Sequence, residues 1–180
     1  GNIYECLIEA YKHDIRNCWW VVDYNRQSLD STTADRMFRR FDDIFETCGW
    51  RVVTLKNGKL QRAAFSRPGG KSLEDWIENC PNADFAVLTY KGGAAWRERL
   101  IADIGGKPHV AKLLDSFDDD GLASLMTNLG GHCIESLMDA FDSADDERPT
   151  LFIAYTVKGY GLPLAGHKDN HSGMMNPAQI

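Results

Sequence analysis

Trp19-Trp20-Val21-Val22-Asp23-Tyr24-Asn25-Arg26-Gln27 is an apolar, β-branched and aromatic run that stops at groups able to hold a ligand. Far downstream, Phe152-Ile153-Ala154-Tyr155-Thr156-Val157-Lys158-Gly159-Tyr160-Gly161 has the same form. In open α/β sheets ligands sit outside the carboxyl ends of the strands, so two strands ending this way predict two walls of one site. The first wall offers oxygens for a metal. The second offers a lysine and close backbone approach.

The segments between them alternate in period. Ile3, Leu7, Ala10 and Tyr11 recur at helical spacing, so residues 2–16 predict an amphipathic helix leading into a strand at 19–23. Thr32 or Thr33 is a candidate cap for a second helix, with Met37, Phe38, Phe41, Ile44 and Phe45 on its buried face and Gly49 at its end. A short strand at 51–55 then completes a β-α-β crossover of the kind that builds parallel sheets. Residues 56–71 are polar and punctuated by Gly58, Pro68, Gly69 and Gly70, which predicts a loop or an excursion from the sheet. Ser72 caps a helix to Asn79, and 84–88 suggests a short strand or extended stretch. Helices follow at 94–104, 110–114 and 134–144, and 151–155 is the late strand. Asp115 and Asp118-Asp119-Asp120 favour the start of a helix through its dipole, an explanation preferred over a metal site. The expected class is α/β, a mostly parallel sheet with helices on both faces.

Composition narrows the function. With 180 residues and 43% hydrophobic content the chain can bury one substantial core, so one domain is expected. Twenty basic against twenty-six acidic residues, with no basic block interleaved with aromatics, argue against a nucleic-acid partner. Cys6, Cys18, Cys48, Cys80 and Cys133 are odd in number and scattered, which suits reduced thiols in a cytoplasmic protein better than a disulfide framework or zinc site. No apolar stretch approaches bilayer length, so no membrane partner is expected. The chain opens without methionine and ends at Asn176-Pro177-Ala178-Gln179-Ile180 without a stop signal, which suggests a piece of a longer protein.

Magnesium takes hard oxygens and usually combines one or two protein groups with phosphate oxygens, so the Asn25 side chain and the Gln27 carbonyl form a plausible partial cage. A simple turn after the strand is the competing explanation. Lys158 beside Gly159 and Gly161 suits an anion, although a strand-to-loop turn explains the motif about as well. In Gly166-His167-Lys168-Asp169-Asn170-His171-Ser172-Gly173 the glycines favour a loop over a helical metal pair, leaving a histidine free to meet phosphate or carry a proton. His132, in Gly130-Gly131-His132-Cys133, is read as a structural turn residue before a helix.

Together these elements resemble the thiamine diphosphate-binding domain of the transketolase superfamily. Asp23-Tyr24-Asn25-Arg26-Gln27-Ser28-Leu29-Asp30 resembles the second half of its metal motif, and the GDG-type first half is absent. Tyr90-Lys91-Gly92-Gly93-Ala94-Ala95-Trp96-Arg97-Glu98-Arg99, Leu113-Leu114 and Asn128-Leu129-Gly130-Gly131-His132 look like the segment that the homodimeric-type pyruvate dehydrogenase first component carries before its GGHD turn, making 56–130 a family-specific excursion. Residues 1–180 would then be the C-terminal portion of an incomplete diphosphate-side domain with the transketolase N-terminal-like fold.

By that resemblance Asn25 ligates magnesium through its side chain and Gln27 through its carbonyl. Lys158 and Tyr160 line the approach to thiamine diphosphate, and His171 matches a mobile-loop histidine that assists substrate chemistry. Cys133 stands where the family usually has aspartate, and the tail around His171 departs from the relatives, which opens the substrate question. The implied enzyme is a homodimer that decarboxylates a 2-keto acid and passes a two-carbon unit to a lipoyl-bearing acyltransferase. The alternatives are a transketolase acting on ketose phosphates, or a non-catalytic α/β assembly module. The activating glutamate of the family lies in another domain, so the isolated chain is expected to be inactive.

Overall fold

The computed structural model describes residues 2–29, 31–33, 38–171 and 173–179. Its centre is a three-stranded parallel sheet in the order β1-β5-β4, formed by β1 (Trp19–Tyr24), β5 (Thr150–Tyr155) and β4 (Arg51–Leu55). Trp19 lies opposite Thr150 and Tyr24 opposite Tyr155, while Arg51 and Leu55 lie opposite Thr150 and Ala154. All three strands therefore end at one level. β5 is buried along its whole length, as a near-continuous apolar run in a parallel sheet requires. The β-α-β crossover is present, with β5 inserted between its two strands.

Strand alternation divides the core into two faces. Leu151, Ile153 and Tyr155 enter the larger cluster, where Trp20 packs on Phe45 of α2 (Phe38–Thr47) and on Trp50. Phe152 faces the other way, against Trp19 and Phe141 of α9 (Ile134–Asp142). Helices thus lie on both faces, giving the expected α/β class. The first helix, α1 (Asn2–Lys12), is shorter than predicted and buries Leu7, while Ile3, Tyr4, Ile8 and Tyr11 are exposed.

Three local expectations are corrected. Residues 56–71 contain α3 (Lys59–Phe65), because Gln61 and Ala64 are buried and Gln61 Nε2 donates to the Met126 carbonyl. The helix α4 (Gly70–Asn79) begins at Gly70, with Gly69 rather than Ser72 at its cap. A side chain at Gly70 would meet the Ala64 carbonyl oxygen at 2.3 Å, so only glycine lets α4 start this close to α3. The segment around 84–88 is the middle of α5 (Asn82–Lys91), and its burial of Phe85 and Leu88 is helical spacing rather than strand alternation. The expected caps also change: Thr32 lies in a strand and Thr33 Oγ1 donates to the Arg26 carbonyl. Met37 falls outside the described residues.

Helices α6 (Gly93–Ile104), α7 (Val110–Asp115) and α8 (Asp119–Thr127) complete a helical layer centred on Trp96, which is fully buried against Phe85 and Trp76. Asp118 caps α8 by accepting from the Gly121 N–H at 2.7 Å, the helix-start role expected for the acidic patch. Among the described residues no helix is long and apolar enough to cross a membrane.

Candidate functional site

β1 leaves the sheet through an Asx turn. The Asn25 carboxamide oxygen accepts from the Gln27 N–H at 3.0 Å, and Arg26 between them has φ 63°. A non-glycine residue in the left-handed region is uncommon, and asparagine before it helps by bonding the backbone two residues on. The turn opens into a small hairpin of β2 (Gln27–Ser28) and β3 (Ser31–Thr32), tied back where Thr33 donates its N–H to the Arg26 carbonyl at 2.8 Å.

β5 leaves beside it. The Thr156 N–H donates to the Tyr24 carbonyl, extending the β1–β5 pairing past the strand ends and bringing Asn25, Gln27 and Lys158 to one cleft. The following chain folds over that cleft: Gly166 N–H and Asn170 Nδ2 both donate to the Lys158 carbonyl, and Gln27 Nε2 donates to the Gly166 carbonyl at 3.3 Å. Lys158 Nζ donates to the Leu29 carbonyl at 2.7 Å, so its charge latches the tail to the β2–β3 hairpin.

The other two expected residues lie apart from this cluster. Tyr160 stacks on His132 with centroids 3.9 Å apart and rings 18° from parallel. His171 is exposed just after a one-turn 3-10 helix at Lys168–Asn170 and is not among the cleft-lining residues. His167 lines a cavity adjoining that cleft, with its ring 4.6 Å from that of Tyr90 on α5. The sequence signal for His167 was the same glycine-bounded tail that pointed to His171, and only the fold separates them.

The Gly130-Gly131-His132 turn crosses the ends of β4 and β5. Its Gly130 N–H donates to the Lys56 carbonyl, and its His132 Nε2 accepts from the Val157 N–H at 2.8 Å. Desolvation lowers the His132 pKa, with Asp23 pulling weakly the other way, so the neutral ring with its proton on Nδ1 is the form that fits. At Cys133, burial pushes the thiol up, but hydrogen bonds from the Lys59 N–H and Ser136 outweigh it and hold the pKa below the ordinary thiol value. The sulfur thereby takes over part of the turn bonding that a carboxylate would supply.

For magnesium, the Asx turn supplies hard, neutral amide oxygens of suitable chemistry, one already accepting a hydrogen bond. No cluster of three or more His, Cys, Asp or Glu able to hold a metal occurs among the described residues. The residues present fit a partial coordination sphere that phosphate oxygens and further ligands would complete.

No protein-family model matches the chain. It is similar to the pyruvate dehydrogenase E1 component of Corynebacterium glutamicum, 27% identical over 158 residues that cover 86% of this chain and 17% of that protein. The Escherichia coli K12 protein of the same name is 27% identical over 165 residues, covering 89% and 18%. That of Cupriavidus necator is 26% identical over the same length and shares. The chain therefore spans less than a fifth of the length of these curated relatives, and what it resembles is a segment of pyruvate dehydrogenase E1.

Proposed function

We propose that this chain is a segment of a thiamine diphosphate- and magnesium-dependent 2-oxoacid dehydrogenase of the pyruvate dehydrogenase E1 kind, and that it forms the metal and diphosphate side of the active site. One observation carries the reading. Asn25, Gln27 and Lys158 meet at the carboxyl ends of two neighbouring parallel strands, within a segment whose likeness to E1 proteins covers nearly nine-tenths of the chain.

In this reading Asn25 Oδ1 and the Gln27 carbonyl hold magnesium, and the Asx turn fixes their separation before any ligand arrives. When bound, thiamine diphosphate supplies a carbon nucleophile for the 2-keto group and a sink for the electrons left as carbon dioxide departs. Lys158 gives a positive charge to the approach once its ammonium leaves the Leu29 carbonyl. His171, exposed on the tail, is the residue that this reading assigns to assisting the substrate chemistry. Tyr160 holds the other rim through its stack on His132. The helical layer of residues 56–130 is the excursion that distinguishes this segment from a transketolase. The acting form is a homodimer, the substrate a 2-keto acid, and the acceptor a lipoyl group on a partner acyltransferase.

The test is the full gene product assayed with pyruvate, 2-oxoglutarate and a ketose phosphate, beside Asn25→Ala. Magnesium-dependent quenching of tryptophan fluorescence by thiamine diphosphate provides a second readout. Quenching and pyruvate decarboxylation that both collapse in the variant are the expected result. Turnover of the ketose phosphate alone, or quenching unchanged in Asn25→Ala, would overturn the assignment.

A further inference from the structure

Arg26 lies between the two proposed magnesium ligands and points away from that role. Its guanidinium sits over the Phe85 ring, with Cζ 3.8 Å from the centroid, and 5.9 Å from the Tyr155 ring. Among the described residues the guanidinium donates no hydrogen bond and meets no carboxylate, although ten lysine or arginine ion pairs are formed elsewhere among them. As a guanidinium it keeps its charge at neutral pH. Nearby, burial pushes the Cys80 thiol up to about 12 and raises Tyr155 as well, so neither is an anion at neutral pH. A half-buried cation held only by aromatic faces is costly unless something negative joins it.

The surroundings are built to receive such a group. Arg26 lines a small inner pocket with Asn25, Gln27, Phe85, Thr89 and Lys158, with free room of about 10 Å³, that of about one water-sized atom. Two polar atoms of that pocket, Thr89 Oγ1 and Gln27 Oε1, are buried without a hydrogen-bond partner. Gln27 Nε2 is fixed on the Gly166 carbonyl, so the amide presents its oxygen as an acceptor. The pocket adjoins a second cavity of about 470 Å³, sharing Gln27, Ala86 and Gly166 with it. The outer cavity is walled by Ala83, Val87, Tyr90 and His167, a mostly apolar lining with an aromatic face.

We propose that this two-chambered cleft binds a small organic acid: one oxygen of its carboxylate enters the inner chamber to meet the Arg26 guanidinium and the Thr89 hydroxyl, while in the outer cavity a neighbouring hydroxyl donates to Gln27 Oε1 and an apolar body lies against Val87 and Tyr90. A charge-assisted bond to a guanidinium in a desolvated pocket is among the stronger polar contacts a protein makes. The outer cavity has the size and lining of a small-molecule site. The inference goes beyond the proposed function but uses the same cleft: Gln27 serves here through its side-chain oxygen rather than its backbone carbonyl, and organic-acid binding is therefore read without metal or cofactor.

The test uses mandelate, which joins a carboxylate, an adjacent hydroxyl and a ring, and inorganic phosphate, which has the charge without the apolar body. Each is titrated calorimetrically at constant ionic strength, without thiamine diphosphate or magnesium, into wild type, Arg26→Met and Val87→Trp. Mandelate should saturate wild type at millimolar concentration and bind Arg26→Met about tenfold to a hundredfold more weakly. Val87→Trp, which fills the outer cavity and leaves Arg26 intact, should also lose mandelate, so the conclusion does not depend on Arg26→Met folding. Unchanged mandelate affinity in either folded variant, no saturable binding to wild type, or phosphate binding as tightly as mandelate would overturn the proposal.

Discussion

Gly130→Ala should be among the most damaging single-methyl additions in this chain. A Cβ at that position would stand 2.4 Å from the Leu55 carbonyl oxygen, 2.5 Å from its carbonyl carbon and 3.0 Å from its Cα. All three are backbone atoms of β4, whose Leu55 is held in register against Ala154 of the fully buried β5. The strand cannot yield, so the turn must. Moving it off the strand end breaks the 2.9 Å bond from the Gly130 N–H to the Lys56 carbonyl, a loss of about 1 kcal/mol. The crowding adds about 1–3 kcal/mol. Restricting the unfolded chain returns about 0.4–1 kcal/mol in favour of alanine. The net expectation is a destabilisation of about 1–3.6 kcal/mol from these combined.

Gly106→Ala is the matched control, because a Cβ there meets nothing within 4 Å and its backbone is not in the left-handed region. It should be neutral or stabilising by up to about 1 kcal/mol. Urea unfolding followed by the fluorescence of the five tryptophans measures both variants. Gly130→Ala within about 0.5 kcal/mol of wild type at an unchanged m-value, the ordinary range for an inconsequential surface change, would refute the steric argument.

The His132 pKa is lowered in the folded state, so the bond its Nε2 accepts from Val157 is fully present above the ordinary value of 6.5 and is lost as pH falls through the folded value. Unfolding free energy measured in urea should therefore drop on acidification below 6.5, and His132→Gln should flatten that part of the profile. Trp96→Ala empties a fully buried site between Phe85 and Trp76 and should cost about 3–5 kcal/mol, read as a fall in the urea midpoint. Asp118→Ala removes the α8 cap and should cost about 1 kcal/mol, with Asp118→Asn retaining most of the stability in the same assay.

The sheet was legible because its strands carry their own signature. Leu151 to Tyr155 is an unbroken apolar run, and β1 and β4 flank helical patterns of the right length. The segments misjudged between Lys56 and Lys91 have a common cause. Their helices pack on one another rather than on the sheet, so glycines that look like loop punctuation are contact points: Gly58 against Asn128, Gly70 against the Ala64 carbonyl. A residue chosen for close approach between helices and one chosen for a turn are the same letter, so α3, α5 and the true start of α4 became visible only where burial decided between them. Likewise α1 has the spacing of an amphipathic helix, yet only Leu7 of its apolar face is buried within this chain.

At the candidate site the sequence identified groups and the fold assigned their neighbours. That Asn25, Gln27 and Lys158 meet follows from β1 and β5 being adjacent, a fact set by the inserted strand order rather than by either motif. The sequence read Lys158 as a cation for an anion, whereas its first partner is the Leu29 carbonyl. Arg26 shows the reverse case. A charged residue just after a strand is ordinarily solvated, and nothing in its type or spacing suggests otherwise. The left-handed turn that Asn25 stabilises swings it beneath Phe85, so the carboxamide proposed to hold a metal also fixes where the guanidinium lies. Replacing Asn25 should then disturb organic-acid binding as well as metal binding, while replacing Arg26 should disturb the first alone. Mandelate titration and magnesium-dependent quenching, measured on both variants, separate the two ends of the same turn.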